Sequence, residues 1–146
     1  MNLPFDPTDL DSVIATLYTT VSGPAGPRDW SHEHQLFHPS GRLIRTGVDA
    51  HGKSTMLIMT PDEYIENTRD YFASNDFYEV EITRETRQFG NICHIWSTYE
   101  ARRSPDDLMH ERRGINSIQL LRDASGAWRI INMIWDNERQ GAAISR

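Results

Sequence analysis

The strongest constraint on this chain is a change of hydrophobic period at Phe77. From there to residue 138 apolar residues recur at every second position. Gly90-Asn91, Ser104-Pro105-Asp106-Asp107 and Asp123-Ala124-Ser125-Gly126 divide the segment into long runs. Four such runs in succession fold as an antiparallel meander. A sheet of that size must bury one face, and only the residues ahead of it are left to cover it.

Those residues read mainly as helices. Leu10, Val13, Ile14, Leu17, Tyr18 and Val21 recur at three and four, behind Pro7 and a Thr8 N-cap. Ser22-Gly23-Pro24-Ala25-Gly26-Pro27 ends that helix, because Gly and Pro at this density cannot continue it. Arg28 to Leu36 offers a short second helix with Trp30, His34 and Phe37 on one side, stopped by Pro39-Ser40-Gly41. Arg42 to Val48 alternates as a short strand. Thr60-Pro61-Asp62-Glu63 combines an N-cap, a first-turn Pro and a Glu three residues on, and opens a third helix burying Tyr64, Ile65, Thr68, Tyr71 and Phe72. The expectation is one α+β domain over residues 1–146, with its core over about 8–138. Three N-terminal helices would pack on a curved, mostly antiparallel sheet of four to six strands.

Charge and composition exclude several functions. Fifteen Lys and Arg against 21 Asp and Glu give a net charge of −6, so there is no basic footprint and nucleic acid is not an expected partner. No run approaches the ~20 apolar residues of a membrane helix, and the acidic start from Met1 to Asp11 is unlike a secretory signal. A single cysteine, Cys93, allows no internal disulfide and suits a reducing compartment. The reading is a cytoplasmic protein with no membrane partner.

Turn placement decides which side chains share a face. A turn at Phe89-Gly90 sets Val80 opposite Tyr99 and Ile82 opposite Ser97; one at Ala124-Ser125 sets Ile118 opposite Ile131 and Asn116 opposite Met133. A Glu100–Arg113 ion pair sets Tyr99 by Gly114 and Ser97 by Asn116. The helix-covered face then holds Val80, Ile82, Ile95, Ile118, Ile131 and Met133 around the polar trio Ser97, Tyr99 and Asn116. Glu79 and Glu81 fall on the other face, together with an apolar patch of Trp96, Ile115, Ile130 and Ile134. That patch calls for a cover, and a second copy in a two-fold homodimer is the simplest. A bulge in any of these strands would exchange the faces beyond it.

Several stretches resemble the NTF2-like superfamily, and within it the SnoaL-like branch. They are Asp29-Trp30, Leu36-Phe37-His38-Pro39, Phe89-Gly90-Asn91-Ile92, Trp96-Ser97-Thr98-Tyr99-Glu100, the strand from Arg113-Gly114-Ile115-Asn116-Ser117 to Leu121, and Trp128-Arg129-Ile130-Ile131 through Trp135-Asp136-Asn137-Glu138. The resemblance implies a cone whose curved sheet wraps the long helix around a pocket and dimerises through its outer face. It implies no single activity, since the same cone houses isomerases, dehydratases, cyclases, hydrolases and non-catalytic binders. The catalytic sets of ketosteroid isomerase and scytalone dehydratase do not map onto this chain residue by residue.

The densest ionisable cluster is His32-Glu33-His34 with His38. His34 and His38 stand four apart as in a zinc-protease helix, but Gln35 occupies the general-base position and Pro39 truncates the helix. No metal or other cofactor is expected. His34, if it points into the cone, is a candidate proton donor or acceptor together with Tyr99. Ser97 and Asn116 either satisfy one another or meet a ligand, and Trp30, Tyr64 and Trp135 would supply the walls of a site for an apolar small molecule. The expected function is a pocket protein, of the cyclase, isomerase or dehydratase type. Its alternative is a non-catalytic dimeric ligand-binding or structural module.

Overall fold

The computed structural model describes residues 4–107 and 109–144. Helix α1 spans Leu10–Val21, a single-turn α2 spans Glu33–Leu36, and α3 spans Pro61–Ser74. The strands are β1 (Phe37–Val48), β2 (Ser54–Met59), β3 (Tyr78–Phe89), β4 (Ile92–Arg102), β5 (Arg112–Arg122) and β6 (Trp128–Asn137). They form one sheet in the order β2-β1-β6-β5-β4-β3, antiparallel except where β1 runs parallel to β6. Among the described residues no helix is long and apolar enough to cross a membrane.

The meander forms as expected and α3 begins at its capping box: Thr60 Oγ1 accepts from the Glu63 amide while Glu63 accepts from the Thr60 amide. The N-cap of α1 is Asp9 rather than Thr8, whose hydroxyl instead donates to Asp6. The helix expected over 28–36 shrinks to one turn. Arg28 folds back and donates to the carbonyls of Val21, Gly23, Pro24 and Gly26, which ties the chain into a loop. Phe37 already pairs with Ile130, so the strand begins five residues before Arg42 and absorbs Pro39 in an irregular stretch between Phe37 and Arg42. Two long helices and one turn therefore stand where three helices were expected, and β2 is an edge strand the alternation did not reveal.

The middle register is as expected, with Ser97 opposite Asn116 and Tyr99 opposite Gly114. The flanking registers are not. The first turn is Gly90-Asn91, with Gly90 at φ 57° and Phe89 opposite Ile92, so β3 shifts by two residues against β4. A bulge at Ile82 then puts Glu81 opposite Tyr99 and Glu79 opposite Ala101, turning both carboxyls onto the helix-covered face. A second irregularity, at Ile131, brings Ile130 inside, where it is fully buried.

The core is in two parts. Val13, Ile14, Leu17 and Tyr18 of α1 pack with Leu36 of α2 and with Phe37, Ile95, Ile118, Leu120 and Ile130 on the sheet. A smaller cluster of Val21, Phe72, Phe77 and Ala101 lies near the other end of α1. Cys93 belongs to the larger cluster, and burial raises its thiol pKa.

Candidate functional site

Between these clusters lies a cavity of about 290 Å³, bounded by members of both, among them Tyr99 and Met133 on one side and Phe72, Phe77 and Ala101 on the other. It sits at the small end of ligand cavities, which run from roughly 300 to 1,000 Å³. Strand β3 contributes Glu79, β4 Tyr99 and Ala101, β5 Asn116 and Arg112, β6 Trp135 and Asn137, and α3 Tyr64 and Tyr71.

Glu79 reaches the cavity because of the Ile82 bulge. Its register partner is Ala101, and the partner of Ala101 is Arg112, so a small methyl group separates an acid and a base in one row across three strands. Two residues on, Glu81 is neutralised: Arg84 donates to it at 2.8 Å and also reaches Asp11 at 2.6 Å. Among the described residues Glu79 has no such cation in contact. It accepts from Asn116 Nδ2 at 3.2 Å, and burial pushes its carboxyl up to about 7, offset in part by the Asn116 amide and the charge of Arg112.

Behind Glu79 runs a directed chain of hydrogen bonds. Asn116 Nδ2 also donates to the Tyr18 hydroxyl at 3.0 Å, and Ser97 gives its proton to Glu81 at 2.5 Å. The 2.6 Å contact between Tyr18 and Ser97 must therefore have Tyr18 as donor. Tyr99 donates to Asn137 Oδ1 at 2.5 Å. Its ring crosses β5 at Gly114, where any Cβ would overlap the hydroxyl. Burial first, and then the charge of Glu79, keeps Tyr18, Tyr64 and Tyr99 protonated far above neutral pH.

Of the residues expected from sequence, Tyr64, Tyr99, Asn116 and Trp135 line the cavity. Ser97 lies one layer behind, in the Tyr18–Glu81 chain. Trp30 backs the wall, edge-on to Tyr64 at 6.1 Å and tilted against Phe72. His34 stands outside on the surface, 2.7 Å from Asp62. Its neighbour Glu33 is the buried member of the histidine cluster, only 2% exposed; burial pushes its carboxyl up to about 8. Glu79, Asn137, Arg45 and Arg112 line the cavity without having been expected there. The Glu-Val-Glu-Ile alternation of residues 79–82 argues for the opposite facing, and nothing in it marks the bulge.

No family model matches the sequence, and no curated protein does. Solved structures do share the architecture. An NTF2-like protein of unknown function from Pseudomonas putida KT2440 superposes with a TM-score of 0.67 at 9% identity, covering 95% of this chain and 92% of that one. Another, from Silicibacter pomeroyi DSS-3, gives 0.61 at 15% identity over 88% and 92%. A protein of Shewanella frigidimarina NCIMB 400, provisionally named a ketosteroid isomerase, gives 0.55 at 13% identity over 85% and 91%. Identities this low carry the fold and leave activity to be argued from the site.

Proposed function

On the premise that the chain has the NTF2-like fold, we propose that its cone binds a small, largely apolar molecule and moves a proton on it, as an isomerase, dehydratase or cyclase does. The observation that carries this reading is Glu79: a carboxyl on the cavity wall with an amide for a neighbour and no cation in ion-pair contact among the described residues. Near pH 7 it is divided between its two protonation states, the condition under which one group both takes and returns a proton. Tyr64, held protonated, is the donor available to an oxygen that gains charge as the proton leaves, and Tyr99 can join it only by turning its proton away from Asn137. Asn116 orients Glu79, Trp135 and Phe72 supply apolar wall, and Trp30 supports Tyr64 from behind. His34 has no part in this scheme, because its imidazole faces solvent beside Asp62.

Outside the cone, we assign the outer sheet face to a second copy of the chain. The cross-strand pairs Ile58–Ile44, Ile44–Ile134, Ile134–Ser117 and Ser117–Trp96 set an apolar row along it, and Trp96 is 46% exposed. Placement in the SnoaL-like branch and in the cytoplasm rests on the sequence alone. A dimer with an inert cone is the rival reading.

The test uses 2-tetralone, a fused-ring ketone with exchangeable α-hydrogens, in deuterated buffer at neutral pH. Wild-type protein is expected to accelerate α-deuteration above the buffer rate and Glu79→Gln to abolish the acceleration, by 10²-fold or more if the group is the base. An equal rate in the two proteins would contradict the assignment.

A further inference from the structure

Two arginines line the same cavity, and neither is in ion-pair contact with a carboxylate among the described residues. Arg45 donates from Nη1 to Asn67 Oδ1 at 2.8 Å, with its guanidinium 5.7 Å from the Trp135 ring centre. Arg112 donates from Nη2 to the Tyr71 hydroxyl at 3.0 Å and lies 5.7 Å and 5.8 Å from the ring centres of Tyr71 and Phe77. Among the described residues Arg28, Arg42, Arg87 and Arg122 also lack an ion-pair carboxylate, but none of them lines this cavity, and backbone and amide carbonyls take up donors of Arg28, Arg42 and Arg122.

The strands carry Arg45 and Arg112 on opposite sides of β6, yet both reach the same stretch of α3. Asn67 and Tyr71 are four residues apart, neighbours on one helix face with Cβ atoms about 5–6 Å apart. One turn of α3 thus draws the two guanidiniums toward the same part of the cavity. Each has five N–H donors and hands one to a neutral acceptor there. Aromatic rings hold both groups in position, which lowers the entropy lost when a ligand engages them. In a chain with 21 acidic residues, two cations whose side-chain partners are neutral beside one cavity suit an anion.

Resting on the reading of the cone as a small-molecule site, the geometry points to a ligand with two unlike ends. Its body is a small aromatic or fused-ring group set against Trp135, Tyr64 and Phe72. Its other end is an oxyanion, carboxylate or phosphate ester, taken by Arg45 and Arg112. Guanidinium planes suit both anions, which offer paired oxygens to paired N–H groups. Glu79 stands in the same cross-strand row as Arg112, about 10 Å away between Cα atoms by strand spacing. An anion anchored at Arg112 would therefore leave the far end of a two-ring body beside the Glu79 carboxyl.

The experiment is calorimetric titration of the full chain with 1-naphthoate, 1-naphthyl phosphate and the neutral 1-naphthalenemethanol, in parallel with Arg45→Gln and Arg112→Gln. At least one anion is expected to bind tenfold or more tightly than the alcohol, and that ratio is expected to fall toward unity in both variants. The tighter of the two anions identifies the oxyanion. Alcohol binding as tight as the tighter anion in the wild type overturns the inference while leaving the cavity reading in place; so does a ratio that survives both substitutions. Failure of all three compounds to bind the folded wild type overturns the inference and the cavity reading together.

Discussion

Two carboxyls two residues apart, Glu79 and Glu81, show how environment sets the work of one residue type. Glu81 meets Arg84 and becomes a charged strut; Glu79 meets Asn116 and stays close to neutrality in its proton affinity. Glu33 is the more extreme case, buried at the start of α2. Both Glu33 and Glu79 have folded-state pKa values, about 8 and about 7, above the ordinary carboxyl range. The native state therefore holds protons that the unfolded chain releases. The stability these groups contribute is fully present below the unfolded value and is lost as pH rises through 7 and 8. In urea denaturation, wild-type protein should be less stable at pH 8.5 than at pH 5.5, and Glu33→Gln should flatten the difference by on the order of 2 kcal/mol. A wild-type profile that rises over that window would contradict the assignment.

At the scale of elements, what the sequence makes legible is periodicity and capping, and what it hides is register. The α3 start is written in Thr60, Pro61 and Glu63, and the β4–β5 pairing in Glu100 and Arg113, which do form an ion pair. Four of the seven residues expected at the site, Tyr64, Tyr99, Asn116 and Trp135, line the cavity because α3, β4, β5 and the inner end of β6 keep the parity their patterns suggest. Glu79 was hidden because one extra residue at Ile82 reverses the parity of the strand before it, and bulges carry no composition signal strong enough to outweigh Val80 and Ile82. The short second helix failed for a different reason: an arginine side chain satisfied the loop carbonyls that a helical reading leaves out of account. Strand β5 supplies the element-level test. Gly114 lets the Tyr99 ring cross it toward Asn137, so Gly114→Ala should displace the phenol and cost about 1–3 kcal/mol by overpacking. Urea denaturation measures the loss, and an unchanged midpoint would mean that Tyr99 does not lie across the strand.

The whole molecule divides its sheet between two tasks. The inner face carries the core and the proposed ligand site; the outer face carries Trp96, half-exposed, in a row of isoleucines. Ile130, expected in that outer patch, is core instead, because the irregularity at Ile131 turns it inward. If the outer row pairs two copies, Trp96→Glu places two carboxylates near the dyad without compensation and should give monomers or insoluble protein. Light scattering after size exclusion reads this directly, and a wild-type monomer at micromolar concentration would contradict it. The central claim concerns the inner face: Glu79 is a cavity carboxyl poised to exchange a proton near neutral pH. A carbon-13 NMR titration of protein labelled at glutamate Cδ, with the Glu79 signal assigned by its loss in Glu79→Gln, measures that property. A midpoint near 7 is expected. A midpoint in the ordinary carboxyl range, below about 5, would contradict it.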